Sequence, residues 1–389
     1  MRGDLGNPRL LRVMNERRLL DQLHEHGPAS RADLAKATGL SKPTVSAALA
    51  GLAEDGLVHL VGEVSGRPGP VTSLYDMNAA SAHVAGIDIG RDWNRVVVAD
   101  LRGSFVGGKD GRNDARDTAD LAAHVRELAH AAAAAAGLEW SAVTCAVAGT
   151  PGVYDPVAGR LDFAGNLPGA DLVERLRSAL DSDLVVENDI NLAAVGEHVY
   201  GEGKGKKHVA LVSIGTGVGM GIITHGELYV GAHGAAGEVS YLPTAEDPAA
   251  AGDPAALEHG ATEAVASAPG VVRAARAAGL DLGSAKEVFE AAESGDPVAL
   301  SVVAAEGQRI GGLLVAVASV LDPEVIVLSG GVGRNLDLLG GAIERRIAEL
   351  GPLRPRVVAS ALGDTGVLLG AVARARKRAW ELIFRARLG

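Results

Sequence analysis

His83-Val84-Ala85-Gly86-Ile87-Asp88-Ile89-Gly90 returns 125 residues later as His208-Val209-Ala210-Leu211-Val212-Ser213-Ile214-Gly215, identical at the first three and last two positions. Each copy is an apolar run ending on glycine. A second β-rich run follows each, Val96 to Asp100 and Met220 to Thr224, so both units read as strand, Gly-bearing turn, strand. Helix-rich sequence and a further strand come after each hairpin, at Ser141 to Gly149 and at Glu324 to Ser329. Two similar α/β lobes with a cleft between them are the expected result. Glycine turns facing that cleft can bring backbone N–H groups up to phosphates, although either turn alone reads equally well as an ordinary β-hairpin.

The whole chain of 389 residues is long enough for two or three domains. A composition 47% hydrophobic and 22% charged is that of a globular protein. One cysteine, Cys145, excludes an intrachain disulfide and a multi-thiolate metal cluster, and fits a reducing cytoplasm. Met1-Arg2-Gly3-Asp4 leads into no apolar stretch before Arg9, so no signal peptide is expected. The longest apolar run, Gly311 to Leu321, is too short to span a bilayer and reads as a buried helix. No membrane partner is expected. Net charge is −11, but residues 1–75 hold nine basic and eight acidic side chains, so a near-neutral segment precedes a strongly acidic one. With 3% aromatics there is little stacking surface for single strands.

In the N-terminal segment, leucines from Leu10 to Leu23 recur at helical spacing until Gly27-Pro28. Ser30 then caps a helix over Arg31–Thr38, Gly39 closes it, and Ser41 caps a third helix from Lys42. Val45, Ala48, Leu49 and Leu52 form its apolar stripe; Lys42, Thr44, Ser46 and Ala47 form a small or cationic opposite face. Two strands, at Gly56 to Val61 and Val71 to Tyr75, flank the tip Gly66-Arg67-Pro68-Gly69-Pro70. The set resembles a winged helix–turn–helix DNA-binding domain, in which Ser41, Lys42, Thr44 and Ser46 face the major groove and Arg67 reaches the minor groove or a phosphate. A small helical dimerisation module with the same turn is the alternative.

Three further runs complete the pattern: Glu187-Asn188-Asp189-Ile190-Asn191-Leu192-Ala193-Ala194, Ser213-Ile214-Gly215-Thr216-Gly217-Val218-Gly219, and Gly231-Ala232-His233-Gly234-Ala235-Ala236-Gly237-Glu238. With the winged helix they resemble, over essentially the whole chain, the ROK family (repressors, open reading frames, kinases). The resemblance implies an α/β fold: an N-terminal winged helix–turn–helix followed by a two-lobed actin/hexokinase-like domain. Expected boundaries are 1–78 for the DNA-binding domain, 79–190 for the first lobe, with a C-terminal helix 366–389 packing back on it, and 191–365 for the second lobe. It also implies sugar contacts at Asn166, Asn188, Asp189, Glu238 and Glu258, with Asp189 the general base if the chain were a kinase. The nucleotide site would lie at Gly215, Thr216, Gly217, Gly330 and Gly331.

Departures from the family pattern decide between enzyme and sensor. Where family kinases continue Asp-Ile-Gly-Gly-Thr-Lys, this chain has Asp88-Ile89-Gly90-Arg91-Asp92-Trp93. That change is expected to remove a tight turn and set a carboxylate beside the would-be phosphates, leaving the nucleotide site vestigial. The family's zinc-binding His position is Tyr241, and no cysteine stands between Leu242 and Glu258. His225, His233 and His259 are scattered, so no metal and no cofactor is expected. Arg374-Ala375-Arg376-Lys377-Arg378 reads as the exposed face of the last helix, whose apolar side is Leu368, Ala371, Val372, Ala375 and Ala379. The expected function is a cytoplasmic transcriptional regulator that binds double-stranded operator DNA as a homodimer or homotetramer and responds to a sugar or phosphosugar. An active ATP-dependent sugar kinase carrying a DNA-binding domain is the alternative, and a scaffold that binds DNA but no sugar is a third. Elemental analysis of the purified protein is expected to find no stoichiometric zinc; one tightly held zinc per chain would overturn this.

Overall fold

The computed structural model describes residues 8–64, 72–155, 160–162, 171–243, 256 and 259–388. Helix α1 (Pro8–His26) is followed by α2 (Arg31–Thr38), which starts in a capping box: the Ser30 side chain accepts the Asp33 N–H while Asp33 accepts the Ser30 N–H. Gly39, at φ 71°, ends it in the left-handed conformation. Helix α3 (Lys42–Glu54) buries Val45, Ala48, Leu49 and Leu52 against its neighbours. A small sheet of β1 (Ala29–Ser30), β2 (Val58–Val64) and β3 (Thr72–Met77), in order β1-β3-β2, completes a winged helix. The expected wing tip, with Arg67, lies outside the described residues.

The sequence repeat is a topological repeat. One sheet contains β4 (His83–Ile89), β5 (Trp93–Asp100), β6 (Phe105–Arg112), β7 (Val143–Thr150) and β10 (Asp183–Asn188) in the order β10-β7-β4-β5-β6; β8 (Val153–Asp155) and β9 (Arg160–Asp162) form a separate hairpin. The other contains β11 (Val209–Ile214), β12 (Val218–Thr224), β13 (Glu227–Leu228), β14 (Val325–Ser329) and β15 (Val357–Ala359) in the order β13-β12-β11-β14-β15. In each, an antiparallel meander supplies three strands and two parallel strands are added on its first-strand side. Central strands such as Val325–Ser329 are buried throughout, as a sheet covered on both faces requires.

Helices α4 (Thr118–Ala135) and α5 (Leu172–Leu180) pack with the first sheet. Between the two sheets lie α6 (Asp189–Tyr200), against β11 and β12, and the C-terminal helix Gly366–Leu388, against β4 and β7. These two helices cross at glycines. A Cβ on Gly370 would overlap the Leu192 carbonyl oxygen, and one on Gly196 would overlap the Gly366 carbonyl oxygen. On the outer side of the second sheet, the apolar run forms the end of a 25-residue helix, Pro297–Leu321. Its length and hydropathy would suffice for a bilayer, yet Leu313, Leu314 and Val317 sit in the second-lobe core.

The basic run near the C-terminus differs from expectation. Arg376 is buried, not exposed: it donates to the Leu101 carbonyl (2.9 Å), the Tyr200 hydroxyl (3.0 Å) and His24 Nε2 (2.6 Å). Each of the three guanidinium nitrogens therefore has a partner, from segments far away in the chain. Farther along, Arg387 clasps the buried Glu16 of α1 through two nitrogens (2.9 and 3.1 Å) and pairs with Asp55 after α3. A single hydrophobic cluster joins Leu19, Leu23 and Leu49 of the winged helix to Val84, Ala371 and Ala375.

Because the helix crossing leaves no volume for a side chain, Gly370→Ala is expected to lower stability by about 1–3 kcal/mol, the ordinary range for an overpacked core. Urea unfolding measures it. A midpoint equal to the parent's would show that the crossing can open without penalty.

Candidate functional site: a carboxylate-lined interlobe cleft

The Glu187 to Ala194 run places the end of β10 and the start of α6 at the cleft. Asn188 is the N-cap, its Oδ1 accepting the Ile190 and Asn191 N–H groups (2.9 and 3.1 Å) while its Nδ2 donates to the Gly152 carbonyl (2.9 Å). Glu187 Oε1 accepts from Asn191 Nδ2 (3.0 Å) and the Asn188 N–H (3.1 Å). This local scaffold holds Asp189 at the first residue of α6, half-buried, with its Oδ1 on the Ile190 N–H (2.8 Å). Burial, reinforced by the Asp88 carboxylate, pushes the pKa of Asp189 up to about 6, well above the usual carboxylate range.

Glu238 belongs to the same electrostatic neighbourhood. Burial raises it, and so do Glu263 and Asp189. Glu263, which sequence reasoning missed, accepts the Val218 N–H at 2.9 Å and lies against Gly217, where a Cβ would meet its Oε2 at 2.8 Å. It too is raised, first by burial, with the Val218 bond and His259 opposing. A carboxylate thus sits on the glycine loop that would otherwise cradle phosphate. Tyr241, at the position where a zinc-binding His was sought, is raised by burial and by Glu238 and Glu263. Asn166 and Glu258 lie outside the described residues.

The glycines of the expected nucleotide half lie together. Gly215 and Gly331 are adjacent, a Cβ on the former coming 3.6 Å from the latter's nitrogen, while Gly330 takes φ 80° beneath Ile214 and Thr216 is exposed. A cavity of about 380 Å³ opens there, lined by Asp88, Arg91, Asp92, Asp189, Arg334 and Asp364 among others. The expectation that Arg91-Asp92 abolishes the tight turn is overturned. Gly90 N–H donates to the Trp93 carbonyl at 3.0 Å, and the β4–β5 pairing runs to Ile89 opposite Asn94. The reason is conformational: none of Gly90, Arg91 and Asp92 has a positive φ, so the turn needs no further glycine. That register also sets Asp88 opposite Arg95, whose guanidinium donates to it at 3.1 Å. Counting residues outward from the turn would have found this pair. Burial still raises Asp88, with Arg95 opposing and Asp364 adding to the rise.

Among the described residues no group of three His, Cys, Asp or Glu side chains could hold a metal. His225 stacks edge-on to His208 with ring centres 4.9 Å apart, and His233 is exposed. On the winged helix, the Ser41 side chain caps α3 by accepting the Thr44 N–H (3.3 Å) and bonds the Thr44 hydroxyl (2.8 Å). Lys42 and Ser46 are exposed, and Thr44 is half-buried.

Comparison with known proteins agrees with this architecture. Residues 84–378 match the model of the ROK family, and residues 13–67 match that of the MarR family. A glucokinase of Halalkalibacterium halodurans is 33% identical over 249 residues, covering 57% of this chain and 73% of that one. The xylose repressor of Bacillus subtilis is 26% identical over 244 residues, covering 61% of this chain and 62% of the repressor. Among solved structures, a ROK family transcriptional regulator homologous to the E. coli MLC protein shares the fold across 97% of this chain and 98% of its own, with TM-score 0.78 and 21% identity. A ROK family glucokinase from Streptomyces griseus, in complex with glucose and AMPPNP, covers 76% of this chain and 100% of its own, with TM-score 0.64 and 26% identity.

The raised Asp189 has a measurable sign. Its neutral form is favoured in the folded state, so its contribution is fully present below about pH 4 and is lost as pH rises through about 6. Asp189→Asn keeps the acceptor for Ile190 and removes the ionisation. The variant is expected to be more stable than the parent by about 3 kcal/mol near neutral pH, with the difference vanishing toward pH 4. Urea unfolding at several pH values checks it, and a pH-independent difference would contradict it.

Proposed function

The chain belongs to the ROK family, and from that membership, with a MarR-type winged helix ahead of the ROK domain, we propose that it is a sugar-responsive transcriptional regulator without kinase activity. The observation that carries this reading is the course of the C-terminal helix. Its first residues, Gly366 and Val367, line the interlobe cleft, and near its other end Arg387 clasps Glu16 and Asp55 of the DNA-reading module. A ligand that draws the lobes together acts directly on the helix that holds the winged helix.

Asn188, Asp189 and Glu238 supply acceptors and donors for sugar hydroxyls, with Asn166 and Glu258 from the family pattern. Ser41, Lys42, Thr44, Ser46 and Arg67 are the proposed DNA contacts. A single winged helix covers little DNA, so a homodimer or homotetramer on a two-fold symmetric operator in the cytoplasm supplies specificity. Against phosphoryl transfer stand Glu263 on the second glycine loop and Asp92 and Asp364 in the nucleotide half. These carboxylates repel a polyphosphate.

Operator binding followed by fluorescence anisotropy during titration with a panel of sugars tests the reading. Asp189→Ala and Glu238→Ala are expected to raise the sugar concentration needed for a response about tenfold or more, since each removes a charge-assisted hydrogen bond of about 1.5–3 kcal/mol. Operator affinity without sugar should stay near the parental value. Variants that respond like the parent, or that lose operator binding outright, would remove the cleft from the sensing role. Sugar phosphorylation at about 1–100 per second would establish the kinase instead.

A further inference from the structure

A second cavity, of about 570 Å³, lies where the C-terminal helix and α6 meet the edges of both sheets. Its volume is within the roughly 300–1,000 Å³ of small-molecule sites. Val147, Val185, Val195, Val199, Ile223 and Leu228 line it with aliphatic surface. Arg374, Lys377 and Arg378 stand on the C-terminal helix beside this floor, with Glu227 and Glu381 on the same lining. The three cations are unequally satisfied. Arg378 makes a two-pronged pair with Asp183 (2.7 and 3.0 Å), and Lys377 pairs with Glu227 across an exposed 2.6 Å contact. Among the described residues Arg374, half-buried, has one loose ion contact, 3.5 Å to Glu187 Oε2. A guanidinium has five N–H donors, so most of this one's capacity is unused.

We propose that this cavity is a second ligand site, taking a small amphipathic monocarboxylate whose carboxylate meets Arg374 while its apolar body lies on the valine floor. The aliphatic floor leaves the hydroxyls on that side of a sugar ring without partners, which favours a ligand that is apolar on one side and charged only at the end facing the helix. Glu227 and Glu381 restrict the match to a single negative charge, because a dianion would face both. The exposed Lys377–Glu227 pair is of the kind that contributes about 0–1 kcal/mol, so it gives way readily to a ligand. The site is placed to influence the cleft. Glu187, the present partner of Arg374, is also the residue that holds Asn188 and Asn191 at the start of α6. A carboxylate that takes over Arg374 frees Glu187 and loosens that support.

Calorimetric titration of the full-length protein with hexanoate and benzoate, and with hexan-1-ol as the uncharged comparison, tests the proposal. At least one of the two carboxylates should bind saturably, and hexan-1-ol at least about tenfold more weakly than hexanoate. Arg374→Gln should weaken carboxylate binding about tenfold or more while leaving the alcohol unaffected. Val199→Trp, which retains every charge and fills the space, should abolish binding of all three. No saturable binding of either carboxylate, equal affinity for alcohol and acid, or parental carboxylate binding by either folded variant would overturn it.

Discussion

Two helices that touch backbone to backbone set the geometry on which everything else rests. Gly196 of α6 and Gly366 and Gly370 of the C-terminal helix bring the two axes so close that carbonyl oxygens occupy the space of absent side chains. One helix starts with the Asn188-Asp189 pair, and the other starts at the same cleft and ends on the winged helix. A contact so close tolerates little relative sliding, since native interiors resist deformation and respond by discrete rearrangement. A perturbation at Asp189 therefore reaches the C-terminal helix through main chain rather than through a series of pliable side chains.

The cleft is built against its own electrostatics. Asp88, Asp189, Glu238 and Glu263 are all raised by burial, and for three of them another carboxylate adds to the rise. Arg95 opposes only the first. Such an arrangement is costly for an empty site and favours occupants that bring hydroxyl donors to the carboxylates. Of the glycines that remain beside it, two are explained by packing and backbone conformation: Glu263 crowds Gly217, and Gly330 adopts φ 80° under Ile214.

What could be read from the sequence divides by distance along the chain. The capping box at Ser30 and Asp33, the left-handed Gly39 and the Ser41 cap are interactions over four residues or fewer, and their residue types announce them. The duplicated sheet was legible because both copies repeat the same apolar period. Arg376, by contrast, finds its partners 352, 275 and 176 residues away, so nothing in Arg374 to Arg378 distinguished a buried arginine from an exposed one. Glu263 escaped notice for the same reason, its bond to Val218 spanning 45 residues. The Gly90 turn was misjudged on composition, because glycine's presence in relatives of a turn does not mean that its conformation demands glycine.

The winged helix does not hang from the body by a linker. Leu19, Leu23 and Leu49 share one apolar cluster with Val84, Ala371 and Ala375, and Glu16, whose Oε1 is held by Arg12 within α1, takes the partner of its Oε2 from an arginine at the opposite end of the chain. Exchange of DNA readers between relatives is accordingly constrained: a recombinant joined at a convenient point between modules would inherit an apolar face cut for another partner and a buried glutamate left with Arg12 alone of its two arginines. Substitution on the outer face of α3, where Lys42 and Ser46 are exposed, leaves that seam intact, whereas transplanting the whole module does not.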